Sequence, residues 1–339
     1  MIVVSEFRPH PLLRSPHAQT VFASVVRRPA PLDVRHERLE LDDGDFLDLA
    51  WLPEPATAAD DTPVVVILHG LTGSIESKYA RGLLRELRGL GWRGLLMHFR
   101  GASHEPNRLP RGYHSGDTGD FATLLTRLRE RYPRAPLAAV GYSLGGNVLL
   151  KYLGERGSRA PLTTACAVSV PFDLALCARA INQGLSRAYQ RHLLGNMRRA
   201  AERKFAVVTP PFELPDLTRL RDFHSFDEAL TAPLHGFDGA ADYYARASSG
   251  PFLKDIRVPT LVLHARDDPF MSPDVVPDES RLSADVRLEL AAQGGHVGFV
   301  AGDRLGRPVY WLERRIPAFL RERLTAAKAA EPQTECAPG

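Results

Sequence analysis

Cysteine is scarce in this chain of 339 residues: only Cys166, Cys177 and Cys336 occur, with no C-x-x-C spacing among them. An odd count without paired spacing argues against a disulfide framework and a thiolate zinc site, and it fits a protein of the reducing cytoplasm. Long apolar runs are missing as well. No stretch reaches the roughly 18 residues that a membrane-spanning helix needs. The opening "MIVVSEFRPHPLLRSPH" offers one three-residue apolar run before charge and proline, which does not make a signal peptide. A surplus of one charge is absent too, because 43 basic residues face 40 acidic ones, too even a balance to imply a nucleic-acid partner. The densest basic cluster, Arg198-Arg199 with Arg203-Lys204, reads as a solvated helix face. No internal repeat is visible. The compositionally loose stretches are 53–62, a surface turn, and the tail from about 326, a frayed terminus.

What remains is an alternation of two apolar patterns. Residues 63–68, "PVVVIL", form a short β-branched run of the kind a strand covered on both faces requires. From Lys78 to Leu90 the apolar residues Tyr79, Leu83, Leu84, Leu87 and Leu90 recur at helical spacing. A strand at 93–99, a helix around Phe121 to Leu128, a strand at 137–140, a helix around Val148 to Leu153 and a strand at 164–170 follow. Such alternation predicts an α/β fold with a mostly parallel sheet and helices on both faces. Between 172 and 250 the rhythm breaks into helix formers, arginines and aromatics, and it resumes with strands at 258–264 and 286–290 and a helix from Val309 to about Leu324. The economical reading is a single domain: core 35–171 and 251–325, an inserted helical cap at about 172–250 and a flexible tail at about 326–339. The cap aromatics Phe205, Phe212, Phe223, Phe226, Phe237, Tyr243 and Tyr244 should mostly pack the cap itself, with some free to line an acyl pocket.

Within this rhythm "VGYSLGGN", residues 140–147, places Ser143 directly after a strand and before a helix, flanked by Gly141 and Gly145. That is the position of a nucleophile elbow, where small neighbours let a tight turn present the hydroxyl. A serine needs a base, and histidine has the fitting pKa. His296 in "QGGHVGF" lies between the last strand and the last helix, on a loop that Gly294 and Gly295 free to fold back. An acid must hold that imidazole, and "HARDDPF" supplies Asp268, favoured for its Asp-Pro turn and the apolar Phe270 and Met271 beyond it, with Asp267 as a loop-capping neighbour. Backbone N–H groups of Leu144 and of Leu71 in "LHGLTGS" are placed to form an oxyanion hole. His69 is read as a support for that loop. The polar residues of 98–120, Arg100, His104, Asn107, Arg111, Tyr113, His114 and Asp117, either rim the site or bond one another. His98, His104, His114 and Asp117 lack the short spacings of a metal site, and the chemistry calls for no cofactor.

The stretches "HGLTGSIESKYARGLL", "HFRGASHEPNRLPRGYHSGDTGD", "VGYSLGGNVLLKYLGE", "HARDDPF" and "GGHVGF", with the earlier "SPHAQTVFAS" and "LELDDGDFLDLAW", resemble the YheT-like branch of the α/β-hydrolase superfamily from about residue 7 to 324. The resemblance implies a carboxylic-ester hydrolase with Ser143, Asp268 and His296 as its charge-relay triad and a small-molecule ester as substrate. Many members carry a cysteine where this chain has Ala102, which removes that thiol from consideration and leaves the triad untouched. An acyl-serine could also pass its acyl group to an alcohol or thiol, making an acyltransferase. A non-catalytic binding protein could keep the fold, but such proteins usually lose a triad member, and all three residues are present here.

Overall fold

A computed structural model describes residues 1–28 and 31–330; Cys336 and the expected tail beyond residue 330 lie outside them. The centre is a nine-stranded sheet. Its strands are β1 (Ile2–Val4), β2 (Arg35–Glu40), β3 (Phe46–Trp51), β4 (Val64–Leu68), β5 (Arg93–Met97), β6 (Leu137–Tyr142), β7 (Thr164–Val168), β8 (Thr260–Ala265) and β9 (Val286–Ala291). They lie side by side in the order β1-β9-β8-β7-β6-β4-β5-β3-β2. Only the β2–β3 and β3–β5 pairings are antiparallel; the others are parallel.

Every residue of β4 is buried, and its side chains alternate between two cores as the pleat demands. Val64, Val66 and Leu68 join the core under α3 (Gly119–Arg131) and α4 (Leu144–Arg156), while Val65 and Ile67 face α2 (Lys78–Gly89) and α10 (Leu312–Ala330). Helices thus cover both faces. A short helix α1 (Pro16–Val21) precedes β2, and α5 (Leu174–Ile181), α6 (Ser186–Phe205), α7 (Phe223–Phe226), α8 (Ala232–His235) and α9 (Ala240–Ala247) fill the interval between β7 and β8. This helical interval has apolar clusters of its own: Leu194, Leu217, Phe226 and Leu230 with Phe205, Phe212 and Phe223 against them, and Ala240, Tyr243 and Tyr244 with Phe237. None of the helices among the described residues is long and apolar enough to cross a membrane.

Four sequence expectations need correction. The sheet gains an edge from Ile2–Val4, ahead of the core expected to start at 35, because a three-residue strand is too short to leave a periodic signal. The last helix starts at Leu312; Val309 lies in β11 (Pro308–Tyr310), which pairs with β10 (Val300–Gly302). That helix also continues through residues 326–330, where a frayed tail was expected. The basic cluster is only partly solvated: Arg199 and Arg203 are exposed, but Lys204 is 8% exposed and bonds Asn107 Oδ1 and the Arg111 carbonyl, and Arg198 donates to the Leu220 carbonyl.

The polar connection after β5 resolves largely into internal bonding. Arg100, 4% exposed, gives a two-pronged pair to Asp120, 2.7 Å on each prong, and reaches Asp43 at 2.7 Å and Asp45 at 3.0 Å. Asn107 donates to Asp45, Leu109 and Arg111, and Arg111 pairs with Asp117 at 2.9 Å. The far end of the connection docks on the helical interval. Ser115 N–H donates to the Tyr243 hydroxyl at 3.0 Å, and the His114 ring lies 4.6 Å from His235.

Because Arg100 neutralises the buried carboxylates of Asp45 and Asp120, removing it leaves uncompensated charge in the interior. Arg100→Met is expected to cost about 3–5 kcal/mol of stability, read from urea denaturation; a loss below about 1 kcal/mol would contradict this role. Burial, with nearby positive charge, depresses both His114 and His235 to about 3. The unfolded chain therefore takes up those protons first, so their contribution is complete above about pH 6.5 and is lost as pH falls toward 3. Replacing His114 by Phe should flatten the stability curve between about pH 4 and 6 by about 1.4 kcal/mol per pH unit, measured by denaturation at each pH.

Candidate active site

β6 ends at Tyr142, α4 starts at Leu144, and Ser143 makes the whole turn between them at φ 51°, ψ −117°. Its N–H donates to the Val168 carbonyl at 2.8 Å, which ties the turn to β7. The flanking glycines are required by contact. A Cβ on Gly141 would stand 2.4 Å from the Gly145 carbonyl oxygen, and one on Gly145 would stand 2.4 Å from the Leu68 oxygen. Real Cβ atoms do not approach that closely, so the strand, the turn and the helix close only with glycine at both places.

Beyond β9 the chain turns at Gly295, φ 60°, and delivers His296 over the end of the sheet. His296 Nε2 lies 3.0 Å from Ser143 Oγ, and its Nδ1 lies 2.8 Å from Asp268 Oδ2. Asp268 is 4% exposed at the end of β8, and its other oxygen accepts the Phe270 N–H at 2.9 Å. The neighbour Asp267 points elsewhere: it accepts the Gly295 N–H at 3.0 Å, and burial raises its pKa. The structure therefore brings Ser143, His296 and Asp268 into one line and puts Asp267 on the loop that carries the histidine.

Leu71 and Leu144 line the same cavity as Ser143 and His296. Leu144 is the first residue of α4, where N–H groups have no acceptor within the helix. Leu71 N–H likewise meets no acceptor among the described residues. Its loop is held from both sides, since Gly70 N–H donates to the Tyr79 hydroxyl at 2.8 Å and Thr72 N–H to the Tyr113 hydroxyl at 3.0 Å. His69 lies beneath, contacting the Gly70 carbonyl through Nδ1 at 2.7 Å while Nε2 accepts the Phe99 N–H at 3.2 Å. Burial holds it down to about 3, so it is a neutral brace for the loop.

Three contacts lay beyond the reading of the sequence. The Phe270 ring stacks on His296 with 3.9 Å between centroids and 9° between planes. Thr20 of α1 accepts the His296 N–H at 2.9 Å, and Gln19 clamps residue 300 with bonds from both ends of its amide. Phe270 was visible as the apolar residue after Asp-Pro, and Thr20 and Gln19 lie within "SPHAQTVFAS", but no local pattern links Thr20 to a histidine 276 residues away or Gln19 to Val300.

The cavity above Ser143 measures about 720 Å³ and has a mainly apolar wall that includes Leu174, Ile181, Leu193, Met197, Phe223 and Phe270. Tyr113 and His114 of the polar connection reach it, so that segment contributes both wall and scaffold. The arrangement joins a hydroxyl, an imidazole and a buried carboxylate beside two free N–H groups, which is the equipment of acyl transfer through a serine.

The sequence profile of the α/β hydrolase fold matches residues 63–303. Over 324 residues the chain is 44% identical to the Escherichia coli protein named "Putative esterase YheT", with 95% of each chain covered. It is 33% identical over 290 residues to the Saccharomyces cerevisiae "Medium-chain fatty acid ethyl ester synthase/esterase 2", covering 76% of this chain and 62% of that one. Among solved structures, an esterase of Pyrococcus furiosus superposes with a TM-score of 0.54 at 17% identity, over 95% of this chain and 98% of that one, a likeness of fold. A sheet ending in a strained serine turn, the profile match over most of the chain and the near-full-length likeness to YheT agree, and the chain belongs to the YheT-like branch of the α/β-hydrolase family.

Proposed function

We propose that the protein is a serine hydrolase that cleaves carboxylic esters of small to medium acyl chain. The observation that carries this reading is the continuous line from Ser143 Oγ to His296 Nε2 at 3.0 Å and from His296 Nδ1 to Asp268 Oδ2 at 2.8 Å. His296 takes the Ser143 proton as Oγ attacks the ester carbonyl, and Asp268 holds the imidazole in the tautomer that makes Nε2 the base. The N–H groups of Leu71 and Leu144 receive the oxyanion, each such donor being worth about 3 kcal/mol in the transition state. His296 then protonates the leaving alkoxide, and the alcohol departs from an acyl-Ser143. A water deprotonated by the same histidine attacks the acyl carbon, releasing the carboxylic acid and restoring the serine. No step requires a cofactor or metal.

A cavity of about 720 Å³ with a mainly apolar wall suits an acyl chain of modest length. A second reading draws support from the yeast relative whose name pairs ester synthesis with ester cleavage. In it an alcohol replaces water in the second half of the same cycle, and product analysis with added ethanol separates the two outcomes.

Ser143→Ala is expected to reduce kcat on p-nitrophenyl hexanoate by at least about 10³-fold with the circular dichroism spectrum unchanged. A fluorophosphonate should add its mass to the peptide containing Ser143. Turnover by the alanine variant close to that of the parent would remove Ser143 from the mechanism. Asp268→Asn should lose about 10³–10⁴-fold in kcat, whereas Asp267→Asn should lose less than about tenfold; the reverse order in steady-state kinetics would reassign the acid.

A further inference from the structure

Beside the cavity over Ser143 lies a second chamber of about 380 Å³. The two share Leu71, Thr72, Gly73, Tyr113, Asn196, Met197 and Thr231 in their walls, so they adjoin at the segment bearing the Leu71 N–H. The chamber's chemistry differs sharply from that of its apolar neighbour. Arg100, Arg199, Arg203 and Lys204 belong to its wall, and among the described residues no carboxylate does.

These cations are not equivalent. Arg100 is spent, its guanidinium being bonded to Asp43, Asp45 and Asp120. Lys204 is buried, and its ammonium bonds only neutral oxygens, those of the Asn107 side chain and the Arg111 carbonyl. An ammonium has three donors, so one remains for whatever enters the chamber. Asp45, the carboxylate whose field reaches Lys204, does not contact it: one oxygen accepts the N–H groups of Phe46 and Arg108, and the other accepts Asn107 and Arg100. Arg199 and Arg203 stand exposed on the same helix, and neither forms an ion pair among the described residues. A buried cation without a contacting anion is costly. The chamber thus presents positive charge that the chain itself leaves without a paired anion.

We infer that this chamber receives an anionic group, a carboxylate or a phosphate, carried by the ester whose acyl carbon reacts at Ser143. The inference rests on the ester-cleaving reading of the larger cavity and specifies its substrate. The ester passes Leu71 to Gly73, where the two cavities adjoin, with its apolar part over Ser143 and its charge beside Lys204.

Two substrate pairs test it in the full-length protein: p-nitrophenyl hexanoate against the p-nitrophenyl monoester of adipic acid, and 1-hexanoylglycerol against 1-hexanoylglycerol 3-phosphate. In at least one pair the charged member should have a kcat/KM about tenfold or more above the neutral one. Lys204→Met should remove most of that ratio, and Arg203→Glu, a change at an exposed position, should reduce it measurably. A charged-to-neutral ratio near one in both pairs overturns the inference, as does a ratio that neither variant alters. Binding supplies an arm independent of turnover. By calorimetry hexyl phosphate should bind about tenfold tighter than inorganic phosphate and lose that affinity in Lys204→Met. Equal affinity for the two phosphates would indicate a site for a free anion and overturn the substrate-borne assignment. If none of the four esters is cleaved while hexyl phosphate binds in the expected way, the ester-cleaving reading fails and the anion site stands.

Discussion

The site depends on a single residue held in an unfavourable conformation. Ser143 occupies positive φ at the end of a central parallel strand, a state that costs a non-glycine residue about 1–3 kcal/mol. The strand beside it supplies the counterweight through the hydrogen bond to Val168, and the helix that begins at the next residue lies so close to the end of β4 that no side chain fits at Gly145. With the turn fixed, the hydroxyl meets His296 Nε2 at 3.0 Å. Both candidate oxyanion donors then follow from the same geometry, one at the first residue of α4 and one on the loop that leaves β4. The placing of the turn and of both N–H groups is therefore a property of the backbone, and side chains such as Tyr79, Tyr113 and His69 serve to keep that backbone in register.

How much of this could be read in the sequence follows physical lines. Strands buried on both faces announce themselves through β-branched runs, and β4, with its five consecutive apolar residues, did so clearly. Serine, acid and histidine were legible because each lies on the connection that leaves a parallel strand, Ser143 directly after β6, Asp268 in the loop beyond β8 and His296 in the loop beyond β9, so order along the chain fixed their place at one end of the sheet. β2 was silent for the opposite reason. Its "RHERLE" is an edge dressed with charge, and that dressing hides a strand from a hydrophobic pattern. Lys204 was misread since a basic run looks the same whether all of its members face water or one turns inward to meet Asn107. The stacking of Phe270 on His296 depends on tertiary closure, which leaves no local trace.

Two parts of the molecule surround the serine with different materials. On one side the helical interval between β7 and β8 adds mainly apolar wall, with its own small cores at Phe226 and Tyr243 to keep it rigid. On the other side the connection after β5 is a network of ions, anchored by Arg100 and its carboxylates. Tyr113 stands where they meet, its ring stacked on Phe99 and its hydroxyl on the Thr72 amide. The boundary between the apolar and the ionic side thus runs along the segment that carries Leu71.

The bonds made by residues 1–28 carry a consequence for how the site comes into being. Val286 and Leu288 are tied to Met1, and the His296 N–H to Thr20, across 285 and 276 residues for the Met1–Val286 and Thr20–His296 bonds. Contacts this distant in sequence close late in folding, because the chain loses its loop entropy before they form. A nascent polypeptide can therefore display the serine turn on the ribosome while its base is still unmade. Closing the contact between Ser143 and His296 thus goes together with the docking of residues 19 and 20 on the loop that carries the histidine.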